Sequence, residues 1–225
     1  PDEAPSTVYE MGALFLRLLE ETAGRDRWDA FLRKYFDAFA FEPITTEWFV
    51  EYLRRELPHV VRQVDLDAWV YEPGLPGTVP QPRSAAFEKV EAQAQAFAGG
   101  APASSLAVSA WSSHEWLRFI RSLPKLSPAR MAVLDERFEL SRSGNSEILA
   151  AWLEKAIDSR YMAAYPAIER FLTSMGRRKF LRPLYERLAA HPEDAEFVLR
   201  VYARARPTYH PVSRATIDEI VKAER

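Results

Sequence analysis

Apolar residues recur at spacings of three and four along almost the whole chain, and no alternating run of β-branched residues closed by an Asn-Gly or Asp-Gly turn interrupts them. A pattern with the period of a helix and none with the period of a strand leaves an all-α fold as the expectation. Leu14, Leu18 and Leu19 follow Tyr9 at helical spacing; Trp28, Phe31, Leu32 and Tyr35 form a second stripe, and Trp48, Phe49, Tyr52 and Leu53 a third. Gly24 and Pro43 punctuate them.

With 225 residues, 48% of them hydrophobic, the chain can bury one sizeable core or two smaller ones. The division is visible in the sequence. Pro73, Gly74, Pro76, Gly77, Pro80 and Pro82 crowd one short stretch, where proline removes backbone donors and glycine permits sharp turns, so residues 71–82 are expected to link two domains. Beyond it, Ser112 with Glu115 three residues on predicts a capping box, and Ser127-Pro128 a capped helix start. Further stripes follow at Ile148, Leu149, Trp152, Leu153 and Ile157, at Ile168, Phe171, Leu172 and Met175, and at Phe197, Val198, Val201 and Tyr202. Such a row of helices buries its stripes either as a closed bundle or as two stacked layers of a solenoid, and the pattern favours neither. Ala98 to Ser105, rich in Gly, Ala, Pro and Ser, is expected to be a surface loop with no further role.

Composition excludes several functions. The 30 basic and 32 acidic residues give a formal net charge of −2, which offers no broad footprint to nucleic acid or to a membrane surface. There is no cysteine for a disulfide, a thiolate metal site or a thiol nucleophile. No apolar run reaches the roughly 20 residues of a membrane-spanning helix, and no signal peptide opens the chain, so the expected location is cytoplasmic.

Chemistry-bearing patterns are few. His59, His114, His191 and His210 stand far apart, and none pairs with another as a metal ligand; after His114-Glu115, Arg118 occupies the place where a zinc-binding helix needs its second histidine. Charge clusters once, in Gly176-Arg177-Arg178-Lys179-Phe180-Leu181-Arg182-Pro183, with Gly176 in position to end one helix and Phe180 to begin packing in the next. The cluster reads either as a carboxylate clamp, since Arg offers a bidentate fork and Lys a point charge, or as a solvated turn complementing a helix C-terminus. Tyr9, at the head of the first helix, reads by itself as an ordinary core aromatic.

Six segments, in order along the chain, resemble the leukotriene A4 hydrolase branch of the M1 zinc aminopeptidases. Val8-Tyr9-Glu10-Met11-Gly12 resembles that family's Tyr-Glu-Lys-Gly, and Ile44-Thr45-Thr46 its Ser-Ile-Thr-Thr helix start. Val64-Asp65 through Trp69, Tyr71 and Pro73-Gly74-Leu75-Pro76 resembles its Trp-x-Tyr-x-Pro-Gly-Leu-Pro run. Asn145-Ser146-Glu147-Ile148, the Gly176 to Pro183 cluster and His210-Pro211-Val212 complete the set.

The resemblance implies that residues 1–70 are the helical tail of a thermolysin-like catalytic domain, and residues 83–225 a two-layered, armadillo-like α-superhelix. It implies a zinc-dependent aminopeptidase acting on short peptides, with the catalytic domain's remainder upstream as this chain's partner. Tyr9 falls on the tyrosine that donates a hydrogen bond to the oxyanion of the tetrahedral intermediate, and Arg177 and Lys179 on the pair that binds the substrate's C-terminal carboxylate. Asp2 falls near an acidic residue at the substrate's entry end. The family tyrosine upstream of Tyr9, associated with epoxide hydrolysis, has no counterpart among Ala4, Pro5 and Ser6, so peptidase rather than leukotriene chemistry is expected. The family's His-Glu-x-x-His is absent from these residues, so this chain alone is expected neither to hold zinc nor to cleave peptide. Apart from the resemblance, the alternative is a free-standing α-solenoid that docks peptides or proteins without catalysis.

Overall fold

The computed structural model describes residues 6–77, 79–80 and 84–222, and among these every regular element is a helix. Contacts divide the chain into two compact units, Pro1–Pro82 and Arg83–Arg225. Of the linker stretch, residues 78, 81 and 82 lie outside the described residues, as does Asp2.

The first unit has α1 (Ser6–Ala23), α2 (Arg25–Ala38), α3 (Thr46–Glu56) and two short helices, α4 (Pro58–Val61) and α5 (Leu66–Val70). Gly24, at φ 82°, makes the tight joint between α1 and α2, a left-handed conformation that glycine adopts without steric cost. Thr45 caps α3 by accepting from the Trp48 N–H, and Asp65 caps α5 by accepting from the Ala68 N–H at 3.1 Å. The core is largely aromatic. Phe15 stacks on Trp69 with ring centroids 5.6 Å apart, and Phe31 packs on Trp28 at 5.2 Å and on Tyr52 at 5.6 Å. Trp69 is thus buried in this core at the end of α5, immediately before the Pro/Gly-rich stretch begins.

In the second unit come α6 (Ala85–Ala98), α7 (Ser113–Ser122), α8 (Pro128–Phe138), α9 (Ser146–Asp158), α10 (Tyr165–Ser174), α11 (Arg178–Ala189), α12 (Ala195–Ala205) and α13 (Pro211–Lys222). The packing skips along the chain: α6 lies against α7, α7 against α9, α9 against α11 and α11 against α13, while α10 lies against α12. The stripes read from the sequence supply the core, with Ile148, Trp152, Leu153, Ile157, Ile168, Phe171, Leu172, Val198, Val201 and Tyr202 all buried.

Both expected helix starts are present. Ser112 and Glu115 form a reciprocal capping box, with the Ser112 N–H donating to Glu115 at 2.8 Å and the Glu115 N–H to Ser112 Oγ at 3.3 Å. Ser127 accepts from the Arg130 N–H, with Pro128 in the first turn.

The Ala98 to Ser105 segment is more tied down than its composition suggested. Arg130 donates to the carbonyls of Phe97 and, at 2.8 Å, Ala101, and its guanidinium lies 3.7 Å from the centre of the Phe97 ring. One side chain from α8 thereby ties the last turn of α6 to the segment that follows it.

Candidate functional site

The basic segment lies at the junction of α10 and α11. Gly176 directly follows the C-cap Met175, which donates its N–H to the Phe171 carbonyl at 2.8 Å, so it stands where a helix-ending glycine is expected, yet it has no positive φ. Gly176 is instead part of an extended connection. Its carbonyl accepts from Ser213 Oγ at 3.0 Å, and the nearby Leu172 carbonyl accepts from the Tyr209 hydroxyl at 2.7 Å. Tyr209 in turn lies 3.2 Å, hydroxyl to hydroxyl, from Tyr185 of α11. Burial is the main reason the Tyr185 and Tyr209 phenols titrate above their ordinary range, Tyr209 at about 12.

Arg177 is the N-cap of α11, and its carbonyl accepts from the Phe180 and Leu181 N–H groups at 3.0 and 3.2 Å. Its side chain is exposed, and among the described residues it makes no ion pair. Phe180 is buried, meeting Phe171 edge to face at 5.8 Å, and both candidate cations flank its ring. The Arg177 guanidinium is 5.9 Å and the Lys179 ammonium 4.6 Å from the ring centre. Lys179 is also ion-paired with Glu147 of α9, and both side chains are about half exposed. Arg178, between the two, is half-buried.

Tyr9 lies on the first turns of α1 and is 76% exposed, so the reading of it as a core aromatic fails. The core positions of that helix belong to Phe15 and Leu19, further along it, and Tyr9 on its first turns stays outside that core. Tyr9 is in the first unit and Arg177 and Lys179 in the second.

Two more of the recognised segments prove to be helix starts. Asn145 caps α9, its Oδ1 accepting from the Glu147 and Ile148 N–H groups at 3.0 and 3.4 Å, while its Nδ2 donates to Ser113 at the start of α7 at 3.0 Å. In His210-Pro211-Val212 the His210 Nδ1 accepts from the Val212 N–H at 3.3 Å, and Pro211 occupies the first position of α13.

A polar cluster missed by the sequence reading sits between the α9–α10 turn and the start of α12. Asp194, almost fully buried, accepts from Arg160 at 2.5 and 3.1 Å and from the Tyr165 hydroxyl at 2.7 Å. Arg160 adopts a left-handed φ of 54° at that turn. The partners are 34 and 29 positions apart, beyond any local pattern.

Among the described residues no three His, Cys, Asp or Glu side chains come together to hold a metal ion, and no helix is long and apolar enough to cross a membrane. The residues present thus do not fit the zinc ion that the resemblance implies for the intact enzyme.

The class of protein is an all-α, two-unit chain whose second unit packs its helices in skipped succession and carries a basic turn between α10 and α11. Residues 111–221, most of that unit, match the family model described as leukotriene A4 hydrolase, C-terminal, so this part of the chain is similar to the C-terminal domain of that M1-type family. Over 97% of its length it is 28% identical to leucine aminopeptidase 2 of Neurospora crassa, of which it covers 34%. A leukotriene A-4 hydrolase homolog of Botryotinia fuckeliana is 25% identical over 99% of the chain and 36% of that protein. Among solved structures, yeast leukotriene A4 hydrolase in complex with bestatin superposes with a TM-score of 0.84 at 25% identity, covering 99% of this chain and 40% of that one. The chain spans about a third of the length of the curated relatives it matches.

Proposed function

We propose that this chain is the C-terminal portion of a zinc-dependent aminopeptidase that removes N-terminal residues from short peptides. Residues 1–70 would then be the helical tail of a thermolysin-like catalytic domain, residues 71–82 the linker, and residues 83–225 an armadillo-like superhelix. The skipped packing of α7, α9, α11 and α13, with α10 on α12, supports the two-layered reading of that last part. The observation that carries the proposal is an alignment over 97% of the chain with a leucine aminopeptidase, together with the matching order of the six segments.

This chain's own contribution is binding and hydrogen-bond donation. The Tyr9 phenol donates to the oxyanion as negative charge develops on the carbonyl oxygen of the scissile peptide, a role suited to a hydroxyl that leaves its own unit's core exposed. Arg177 and Lys179 hold the substrate's C-terminal carboxylate, which selects peptides that end in a free carboxyl group. The exposed, unpaired Arg177 supplies the bidentate fork, and the buried Phe180 sets the direction of both cations.

In the intact enzyme, Arg177→Ala is expected to raise the KM for a tripeptide with a free C-terminal carboxylate roughly tenfold or more, the scale of a lost charge-assisted hydrogen bond, and to leave the corresponding C-terminal amide nearly unaffected. Equal effects on the two substrates would reduce the basic turn to a surface feature.

A further inference from the structure

The start of α9 accounts for Asn145, which caps the helix, and for Ile148, which is buried, but the Glu147 carboxylate reaches 32 residues along the chain to the Lys179 ammonium. An acidic residue in a first helical turn needs no partner of this kind, because the helix dipole already favours it. This pairing changes the charge of the basic turn. Arg177, Lys179 and Glu147 together are two cations and one anion, leaving one net positive charge where the sequence suggests two.

Resting on the reading of Arg177 and Lys179 as a carboxylate clamp, we propose that Glu147 is a specificity-determining residue of that clamp, a built-in carboxylate that competes with the substrate's for Lys179. The chemistry of the two anions is the same, and each seeks the N–H donors of one ammonium. A peptide carboxylate arriving at the turn therefore finds Arg177 open and Lys179 already neutralised, and it also meets the field of a like charge. Affinity for free-carboxylate peptides is held below what two unpaired cations would give, which favours release of products that keep the same C-terminus.

The proposal predicts a gain rather than a loss on mutation, which a merely structural role for Glu147 does not. The measurement is the ratio of KM for a tripeptide with a free C-terminal carboxylate to KM for its C-terminal amide, made on the intact enzyme. Removing one like charge about 6 Å from the bound carboxylate in a watery setting is expected to lower this ratio roughly threefold in Glu147→Gln, with a larger fall in Glu147→Lys. The effect should shrink between about 0.05 and 0.5 M salt, as screening of exposed charges requires. Asn145 caps α9 without the Glu147 side chain, and that side chain is partly exposed, so both variants are expected to fold. A ratio that stays at the wild-type value or rises in these variants overturns the proposal. Arg177→Ala, measured alongside, separates the two levels of failure. If it leaves the ratio unchanged, the clamp reading falls and this inference with it; if it raises the ratio while the Glu147 variants fail to lower it, only the role of Glu147 falls.

Discussion

At the scale of single residues, what a side chain does here depends on whether its partner is near in sequence. Tyr9 is 76% exposed on α1, and a phenol acting as donor in the transition state is expected to matter for turnover and not for ground-state binding. Tyr9→Phe in the intact enzyme should therefore lower kcat on the order of a hundredfold with KM little changed, as steady-state kinetics would read directly. Asp194 is the opposite case, a buried carboxylate satisfied by Arg160 and Tyr165. Asp194→Ala takes the acceptor from a buried phenol and leaves the half-buried Arg160 only the exposed Glu193, and should cost about 3 kcal/mol, measured as a lower thermal or denaturant midpoint. The sequence made Ser112, Ser127 and the apolar stripes legible because those residues act on neighbours three or four positions away. It hid Arg130 on Phe97, Arg160 on Asp194 and Glu147 on Lys179, whose partners are about 30 positions distant and meet only when the helices pack. The family segments named Arg177 and Lys179, but no local rule assigned Lys179 a partner.

Individual elements carry their own electrostatic signature, clearest in α13. Asp218 accepts from Arg206 at 2.8 Å through both oxygens and from the Tyr202 hydroxyl at 2.8 Å. The Arg206 hydrogen bonds chiefly, and then that of Tyr202, hold its carboxyl down at about 2 against an ordinary 3.8. A folded-state value below the unfolded one means the stabilisation is present above about pH 4 and disappears as the pH falls through about 2. Amide protection across 211–222 should decline over that window, and Asp218→Asn should flatten the decline while lowering protection at neutral pH. The starts of α7 and α8 were readable as caps, whereas the conformation after the end of α10 was not. There the hydrogen bonds from Ser213 and Tyr209, supplied by a remote part of the chain, fix the connection that a glycine seemed to announce.

For the molecule as a whole, the two units differ in how their tyrosines are held. In the second unit burial, helped by Asp135, brings Tyr161 to about 12, burial brings Tyr209 to about 12, and burial foremost drives Tyr165, Tyr185 and Tyr202 higher still. In the first unit Tyr35 is raised as well, again through burial. These phenols are raised above the unfolded value near 10, so the stability they contribute is complete below pH 10 and is lost as the pH passes about 12. Limited proteolysis by an alkaline protease across that range should therefore cut first within 84–222, and cutting confined to 6–77 would contradict this. The division into two helical parts was legible from the proline and glycine run, because its composition is itself the cause of the break. The order in which the later helices touch was not, since similar stripes satisfy a bundle and a layered array equally.

That order of touching ties the basic turn to the last described helix. α13 leans chiefly on α11, and α13 and the turn before it supply the hydrogen bonds that hold the connection leading to Arg177. As α13 peels away, Ser213 withdraws from the Gly176 carbonyl and Tyr209 from Leu172, and the backbone that presents Arg177 slackens while α7 and α9 are still intact. Local opening at α13 should thus blur the proposed carboxylate clamp without melting the fold.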